Sequence, residues 1–239
     1  MGGESNAPST AEAASALAWW LEAGVDVAVQ EAPRDWLRAA AVASQTALTP
    51  PQVPSDSIDA MPETLDLFRD WLGSAPSLPF AAAGARRVLP RGSENAPIML
   101  IAEMPGLDDA ADGQPIGGEA WALTQRMLAA IGIDADEAYC ASLSCFHSPA
   151  AKMSPAEIDA CAAIARRHLA LAKPKRLLLL GDVPARALVG RPLAAARGHV
   201  HQVEGVCTVA TFHPRMLLEN STRKADAWRD LLLLMEEQA

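Results

Sequence analysis

Short apolar runs alternate with helical patterns along this chain, and that alternation limits the fold more than any other feature. Residues 97–101, 138–146 and 176–180 are apolar runs of strand length, and each is followed by a segment in which apolar residues recur at helical spacing. Such alternation is typical of a parallel sheet with helices on both faces. We therefore predict an α/β fold of three layers, with a central, mostly parallel sheet of four strands.

Two of the predicted strands end in polar loops. The run at 97–101 stops before Glu103 and passes into an acidic, glycine-rich loop that extends to residue 118, whereas the run at 206–212 is followed at once by His213. The carboxyl ends of parallel strands open at the same edge of a sheet, and ligands bind at that edge. We therefore expect Glu103, Asp109 and His213 to converge on one site.

The same side chains also have purely structural interpretations. A histidine that follows a strand can cap the strand end by hydrogen bonding to backbone. Asp108, Asp109 and Asp112 can complement the positive N-terminal end of a helix. Both interpretations stay open when the residues are considered without a family.

The overall charge limits the kinds of partner that the chain can have. Its formal net charge is −9 and its isoelectric point is about 5.0, which argues against a protein that coats nucleic acid through bulk charge. Any nucleic-acid surface must therefore be local. No apolar run approaches the roughly 20 residues of a membrane-spanning helix, and no basic segment followed by an apolar core begins the chain. We expect a cytoplasmic protein with no membrane partner.

The sequence before the predicted sheet divides into three parts. Residues 1–14 are small and polar and predict disorder, whereas residues 15–48 have tryptophans and aliphatic residues at helical spacing. Prolines are frequent in residues 49–62, which predicts an extended linker. The remaining residues, 63–239, are predicted to form the α/β domain.

The cysteines offer no recognisable metal site. Cys140, Cys145, Cys161 and Cys207 form no CxxC pair and have no histidine at a zinc-ligand spacing. Free thiols in the protein interior are the simplest interpretation, since cysteine is among the most buried residue types.

Five segments resemble, in the same order along the chain, the motifs of the uracil-DNA glycosylase superfamily, and most closely those of its family four. The resemblance covers roughly residues 63–235, and the last helix also has the family's Lys, Trp, Asp-Leu pattern at Lys224, Trp228, Asp230 and Leu231. The five segments are IAEMPG at 101–106 for Gly-Glu-Ala-Pro-Gly, GQPIGG at 113–118 for Gly-x-Pro-Phe-x-Gly, YCASL at 139–143 for the strand with the base-reading Asn, LLLG at 178–181 for a Leu-Gly strand end, and TFHPRMLL at 211–218 for Thr-Tyr-His-Pro-x-x-Leu-Leu.

The resemblance implies hydrolysis of the N-glycosidic bond of uracil, or another deaminated base, flipped out of DNA during base excision repair. His213 would donate a hydrogen bond to the oxygen of the leaving base, and Asp109 would orient the attacking water and stabilise positive charge on the sugar. Glu103 would assist from the end of its strand. The implied partner is DNA that contains a damaged base.

The resemblance also assigns binding roles around these catalytic residues. Met104, Ile116 and Ser142 would contact the flipped base, and an apolar wedge after His213 would help to hold that base out of the duplex. The implied DNA-binding residues are Pro105, Gly106, Pro214, Arg215, Met216 and Leu217.

The sequence departs from the family in three places. The family binds a four-iron four-sulfur cluster through four cysteines, two of them in a CxxC, but residues 72–80 contain no cysteine, so we predict that the cluster is absent and that no cofactor is used. Ile116 stands where the family has a stacking Phe. The base-reading Asn falls at Ser142, or at Ala141 if Cys145 anchors the alignment, and both changes weaken uracil recognition.

Two other functions are compatible with these departures. A catalytically impaired protein of the same fold could act as a DNA-damage or repair-complex binding module, with the helices of residues 15–48 contacting a repair protein. Hydrolysis of a free nucleoside or nucleotide is the third hypothesis, because the acidic net charge does not favour DNA.

Overall fold

The computed structural model describes residues 61–81, 85–147 and 153–236. The predictions for residues 1–14 and 15–48, and for all but the last two residues of the linker, lie outside this part of the chain. None of the described helices is long and apolar enough to cross a membrane.

Strands and helices alternate through the described part of the chain. The strands are β1 Met99–Ala102, β2 Tyr139–Ser142, β3 Arg176–Leu180, β4 Val200–Val203 and β5 Val206–Thr211. The helices are α1 Leu65–Ser74, α2 Leu107–Asp112, α3 Gly118–Ala130, α4 Pro155–Ala172, α5 Asp182–Val189, α6 Leu193–Ala196, α7 Pro214–Glu219 and α8 Lys224–Glu236, with short 3-10 turns at Ala135–Glu137 and Ser221–Arg223.

The strands form one sheet in the order β2-β1-β3-β5-β4. The first four of these are parallel to one another, as predicted, and β4 adds an antiparallel edge strand beside β5. β2 is shorter than the predicted run of 138–146, since it ends at Ser142, which pairs with Ala102 at the end of β1. The α/β fold with a mostly parallel sheet is confirmed.

Both faces of the sheet are buried under helices. Alternate residues of β1 and β3 belong to two separate apolar clusters, Met99 and Leu177 to one and Leu100 and Leu178 to the other. The first cluster contains buried residues of α1, α4 and α5, and the second contains buried residues of α3 and α8. Because both strand faces are apolar, each must be covered, which explains the continuous rather than alternating hydrophobic runs in the sequence.

A buried carboxylate anchors the end of β5. Asp230 on α8 has a side chain that is 1% exposed, and it accepts hydrogen bonds from Thr211 Oγ1 at 2.7 Å, from Arg197 Nε at 2.7 Å and from the Gly198 amide at 3.2 Å. Thr211 is the last residue of β5, two residues before His213. The network therefore determines where the polypeptide leaves the sheet and enters the loop that contains His213.

Replacement of Asp230 by Ala should destabilise the fold by about 3 kcal/mol, because it leaves the Arg197 guanidinium without its buried partner. Urea unfolding followed by circular dichroism measures this loss. Asp226→Ala is the matched control on the same helix, since its ion pair with Arg229 is exposed, and it should cost less than about 1 kcal/mol. Equal losses in the two variants would contradict the anchoring role of Asp230.

Candidate active site

The loops that follow the parallel strands meet at one edge of the sheet. The loop after β2 is joined to the end of β1, since the amides of Leu143 and Ser144 donate to the carbonyls of Ala102 and Glu103 at 2.9 and 3.1 Å. The loop after β3 is joined to β5 in the same way, since the Gly181 amide donates to the Thr211 carbonyl at 2.9 Å. This edge is where the sequence predicts a site.

Asp109 lies in the first turn of α2 and is almost completely buried, with 1% of its surface exposed. Its Oδ2 accepts a hydrogen bond from the Gly106 amide at 2.7 Å, and its Oδ1 accepts one from the Gly117 amide at 2.6 Å. Gly106 is the residue before α2 and Gly117 the residue before α3. One carboxylate therefore fixes the starts of two helices.

The guanidinium of Arg215 contacts the same carboxylate. Arg215 lies in the first turn of α7, and its Nη2 forms an ion pair with Asp109 Oδ2. A Cβ added to Gly106 would lie only 2.7 Å from the guanidinium, so the absence of a side chain at Gly106 allows the arginine to lie against this loop. The ion pair joins the loop after β1 to the loop after β5.

His213 caps the N-terminus of α7. Its Nδ1 accepts a hydrogen bond from the Arg215 amide at 3.2 Å, so Nδ1 carries no proton and the proton of the neutral ring lies on Nε2. Burial lowers the pKa of His213 to about 4. At neutral pH the ring is therefore an uncharged hydrogen-bond donor through Nε2.

Glu103 is half-buried at the end of β1. Burial raises the pKa of this carboxyl above its ordinary value, and the Asp182 carboxylate at the start of α5 raises it further. Glu103 therefore takes up a proton more readily than an exposed glutamate. Next to it, Met104 and Gly106 are half-buried and Pro105 is buried.

Two of the predicted base-binding residues occupy different environments. Ser142 ends β2 at the level of Ala102, and its hydroxyl is buried with no hydrogen-bond partner in the part of the chain that the structure describes. Ile116 is fully buried in the apolar cluster beneath α3. Ala141, the alternative position for the base-reading residue, is buried in the cluster on the face of the sheet opposite Ile116.

The helical turns of α7 bury some of the residues after His213 and expose others. Pro214 and Leu217 are buried, whereas Met216 is 40% exposed and Leu218 is 38% exposed. The structure thus leaves Met216 at the surface and places Leu217 in the core. Leu218, to which the sequence assigns no role, is the second exposed apolar residue of this helix.

His147 is a further residue of this edge, and no sequence motif identifies it. It is half-buried in the loop after β2, and its Nδ1 is 2.8 Å from the carbonyl oxygen of Pro105, so Nδ1 carries the proton of that hydrogen bond. The signal available in the sequence is its position directly after the predicted strand at 138–146.

The cysteines do not fit the iron–sulfur cluster of the family. Cys145 and Cys161 line a cavity of about 20 Å³, room for about one water molecule, and burial raises their pKa values to about 11 and about 12. Cys140 lies in the cluster on the opposite face of the sheet and Cys207 in β5. The described residues contain no group of three or more His, Cys, Asp or Glu side chains that could hold a metal ion. Absence of the cluster stays a prediction.

Comparison with known proteins identifies the family. The sequence model described as the uracil DNA glycosylase superfamily matches residues 89–232, more than half of the chain. This chain belongs to the uracil-DNA glycosylase superfamily.

Similar curated proteins carry the name of family four. A type-4 uracil-DNA glycosylase of Archaeoglobus fulgidus is 28% identical over 138 residues, which are 53% of this chain and 69% of that protein. The type-4 uracil-DNA glycosylase of Pyrobaculum aerophilum is 24% identical over 57% of this chain and 75% of its own length, and that of Thermotoga maritima is 22% identical over 68% and 87%. These relatives support the resemblance to family four.

The pKa of His213 should lie well below that of an ordinary histidine. Nitrogen-detected NMR of the imidazole should give a neutral ring with its proton on Nε2 at pH 7 and a titration near pH 4. The His213→Ala variant assigns the signal. As the pH falls, the unfolded chain protonates this histidine at about pH 6.5, whereas the folded protein does so only near pH 4. His213 should therefore lower the free energy of unfolding between these two pH values. A proton on Nδ1 would contradict the hydrogen bond from the Arg215 amide, and a pKa near 6.5 would contradict the burial of the ring.

Proposed function

We propose that this protein hydrolyses the N-glycosidic bond of uracil, or of another deaminated base, flipped out of DNA, and that it acts in base excision repair. The observation that carries the proposal is a neutral His213 and a buried Asp109 on two loops that Arg215 joins at one edge of the sheet. The type-4 names of the similar proteins support it. Residues 63–239 form the glycosylase domain in this proposal, and a cytoplasmic location stays a prediction.

His213 stabilises the leaving base. When the bond between the sugar carbon and the base nitrogen breaks, the electron pair goes to the base, and negative charge develops on its carbonyl oxygen. An Nε2–H donor directed at that oxygen stabilises the charge without transferring its proton. The tautomer is set by the Arg215 amide, so the donor is already oriented before the substrate binds.

The carboxylates act on the sugar side of the same bond. The sugar becomes an oxocarbenium-like cation as the base departs, and the Asp109 carboxylate stabilises it and orients the water that adds to the sugar carbon. The proton that the water loses passes to the departing base or to solvent, which balances the hydrolysis. Glu103 assists from the end of β1, where its raised pKa allows it to exchange a proton at a pH closer to neutrality.

The base lies against the end of β2 and the loop after β1 in this proposal. Ser142 offers its unpartnered hydroxyl to the edge of the base, and the half-buried Met104 supplies apolar surface near the ring. Ile116 is fully buried, so it would support this part of the site from the core beneath α3. Met216 is the exposed wedge that fills the space in the duplex. The DNA-facing backbone is that of Pro105, Gly106, Pro214 and Arg215, with Leu217 packing the helix from beneath.

A second candidate function is supported by the state of Asp109. Its carboxylate is 1% exposed and is already occupied by two amides and a guanidinium, as in a side chain with a structural role. A catalytically impaired protein that binds damaged DNA or a repair complex would keep this arrangement. The segment proposed to contact a repair protein, residues 15–48, lies outside the described residues.

Base release from labelled oligonucleotides separates the two functions. The protein should release uracil, hypoxanthine or xanthine from single-stranded or paired DNA, with abasic sites detected by alkaline cleavage. His213→Ala should lower the single-turnover rate by about a hundredfold to a thousandfold, and Asp109→Asn should also lower it. His199→Ala changes an exposed histidine beside β4 and serves as the control. No release from any substrate, with DNA binding intact, would support the second candidate.

Ser142→Asn should increase uracil release roughly tenfold, because an amide offers the base both a donor and an acceptor where the hydroxyl offers a single group. Ser142→Ala is the matched control, and it should lower release because it removes the hydroxyl altogether. Single-turnover rates on uracil-containing DNA measure both variants. Equal rates for all three proteins would show that position 142 does not contact the base.

A further inference from the structure

Arg215 contacts both candidate catalytic side chains. Its guanidinium is paired with Asp109, and its backbone amide donates to Nδ1 of His213. The residue occupies the first of the two unspecified positions in the family motif Thr-Tyr-His-Pro-x-x-Leu-Leu. The motif itself therefore assigns no role to the side chain that bridges the two loops.

The ion pair blocks the carboxylate in the DNA-free protein. Oδ1 of Asp109 accepts from the Gly117 amide, and Oδ2 accepts from the Gly106 amide as well as contacting Arg215. Only 1% of the residue is exposed. A water molecule or a sugar cannot reach the carboxylate on the side that the guanidinium covers. For Asp109 to act on a substrate, Arg215 must move away from it.

Arg215 has space beside it into which its side chain can move. Its side chain is 37% exposed and borders a cavity of about 300 Å³. Of the described residues that line this cavity, Arg215 is the only cation, and the acidic ones are Asp108, Asp109, Glu119 and Glu219. A DNA phosphate that approaches this side of the site meets a repulsive surface except at the guanidinium. The planar guanidinium binds phosphate as well as it binds carboxylate.

We propose that Arg215 exchanges partners when DNA binds, leaving Asp109 for a backbone phosphate and thereby uncovering the carboxylate. Arg215 is a positioning residue in this scheme, because it acts on the reaction through Asp109. The exchange makes the carboxylate available only when DNA occupies the site. The inference rests on the proposed DNA-binding role of this edge, and it predicts a competition between Asp109 and phosphate for one cation.

The competition is tested by DNA affinity, without any base release. Affinities for an undamaged duplex oligonucleotide are measured for the original protein, Asp109→Asn, Arg215→Gln and the double variant. Asp109→Asn removes the competitor, so it should tighten binding by about fivefold or more, the range of one charge-assisted contact. In the Arg215→Gln background the same substitution should give no such gain.

Asp108→Asn is the matched control for simple loss of negative charge. Asp108 is exposed on the same helix turn and its charge acts on Arg215 through solvent, so its replacement should tighten binding clearly less than Asp109→Asn does. A gain for Asp109→Asn that is the same with and without Arg215 would overturn the proposal, as would weaker binding by Asp109→Asn in a protein that still unfolds cooperatively.

The salt dependence of binding provides a second readout that does not require a change at Asp109. Arg215→Gln should reduce the slope of log affinity against log salt by about 1, whereas Arg215→Lys should retain it. Arg166→Gln is the control, and it should leave the slope unchanged. Arg166 lies on α4 and pairs with Glu204 in the turn between β4 and β5, whereas His213 and Arg215 follow the opposite end of β5. An unchanged slope for Arg215→Gln would overturn the exchange. Because no arm depends on catalysis, failure of the glycosylase proposal would appear separately, as an absence of base release.

Discussion

The buried carboxylate of Asp109 is the constraint on which this edge of the protein depends. Removing a charge from water costs several kcal/mol unless hydrogen bonds and an opposite charge compensate for it. Here the compensation comes from Gly106, Gly117 and Arg215, which belong to three different helix starts. The loops after β1 and β5 are therefore held together by the requirement to satisfy one side chain.

Two such buried carboxylates hold the residues on either side of His213 in the chain. Asp230 holds Thr211 two residues before it, and Asp109 holds Arg215 two residues after it. Arg215 in turn donates its amide to the imidazole. The orientation and the neutral charge of the ring thus follow from contacts on both sides of it and from burial, which lowers its pKa. A donor prepared in this way needs little reorganisation during the reaction.

A different set of contacts joins α1, β2 and α4, close to Cys161 on α4 and Cys145 in the loop after β2. The hydroxyl of Tyr139 is 2.6 Å from Nε2 of His168, and Arg69 Nε donates to the same hydroxyl at 3.2 Å. Burial lowers the pKa of His168 to about 3, so the ring is neutral and can share this hydrogen bond without a buried charge. Aromatic packing and one polar network stabilise these three elements.

The sequence by itself determined the fold class and the edge of the sheet at which the candidate site is proposed. Apolar runs of strand length before Glu103 and His213 predict parallel strands whose ends meet, because side-chain periodicity and loop composition are local properties of the chain. Tertiary structure decided which side chains touch: the Asp109–Arg215 pair, the buried Leu217 beside the exposed Met216, and the contact of His147 with Pro105. The two contacts join segments that are far apart in the chain and depend on the strand order, whereas the burial of Leu217 depends on the phase of α7. Neither is encoded in a short stretch of residues, because both follow from how the helices and strands pack together.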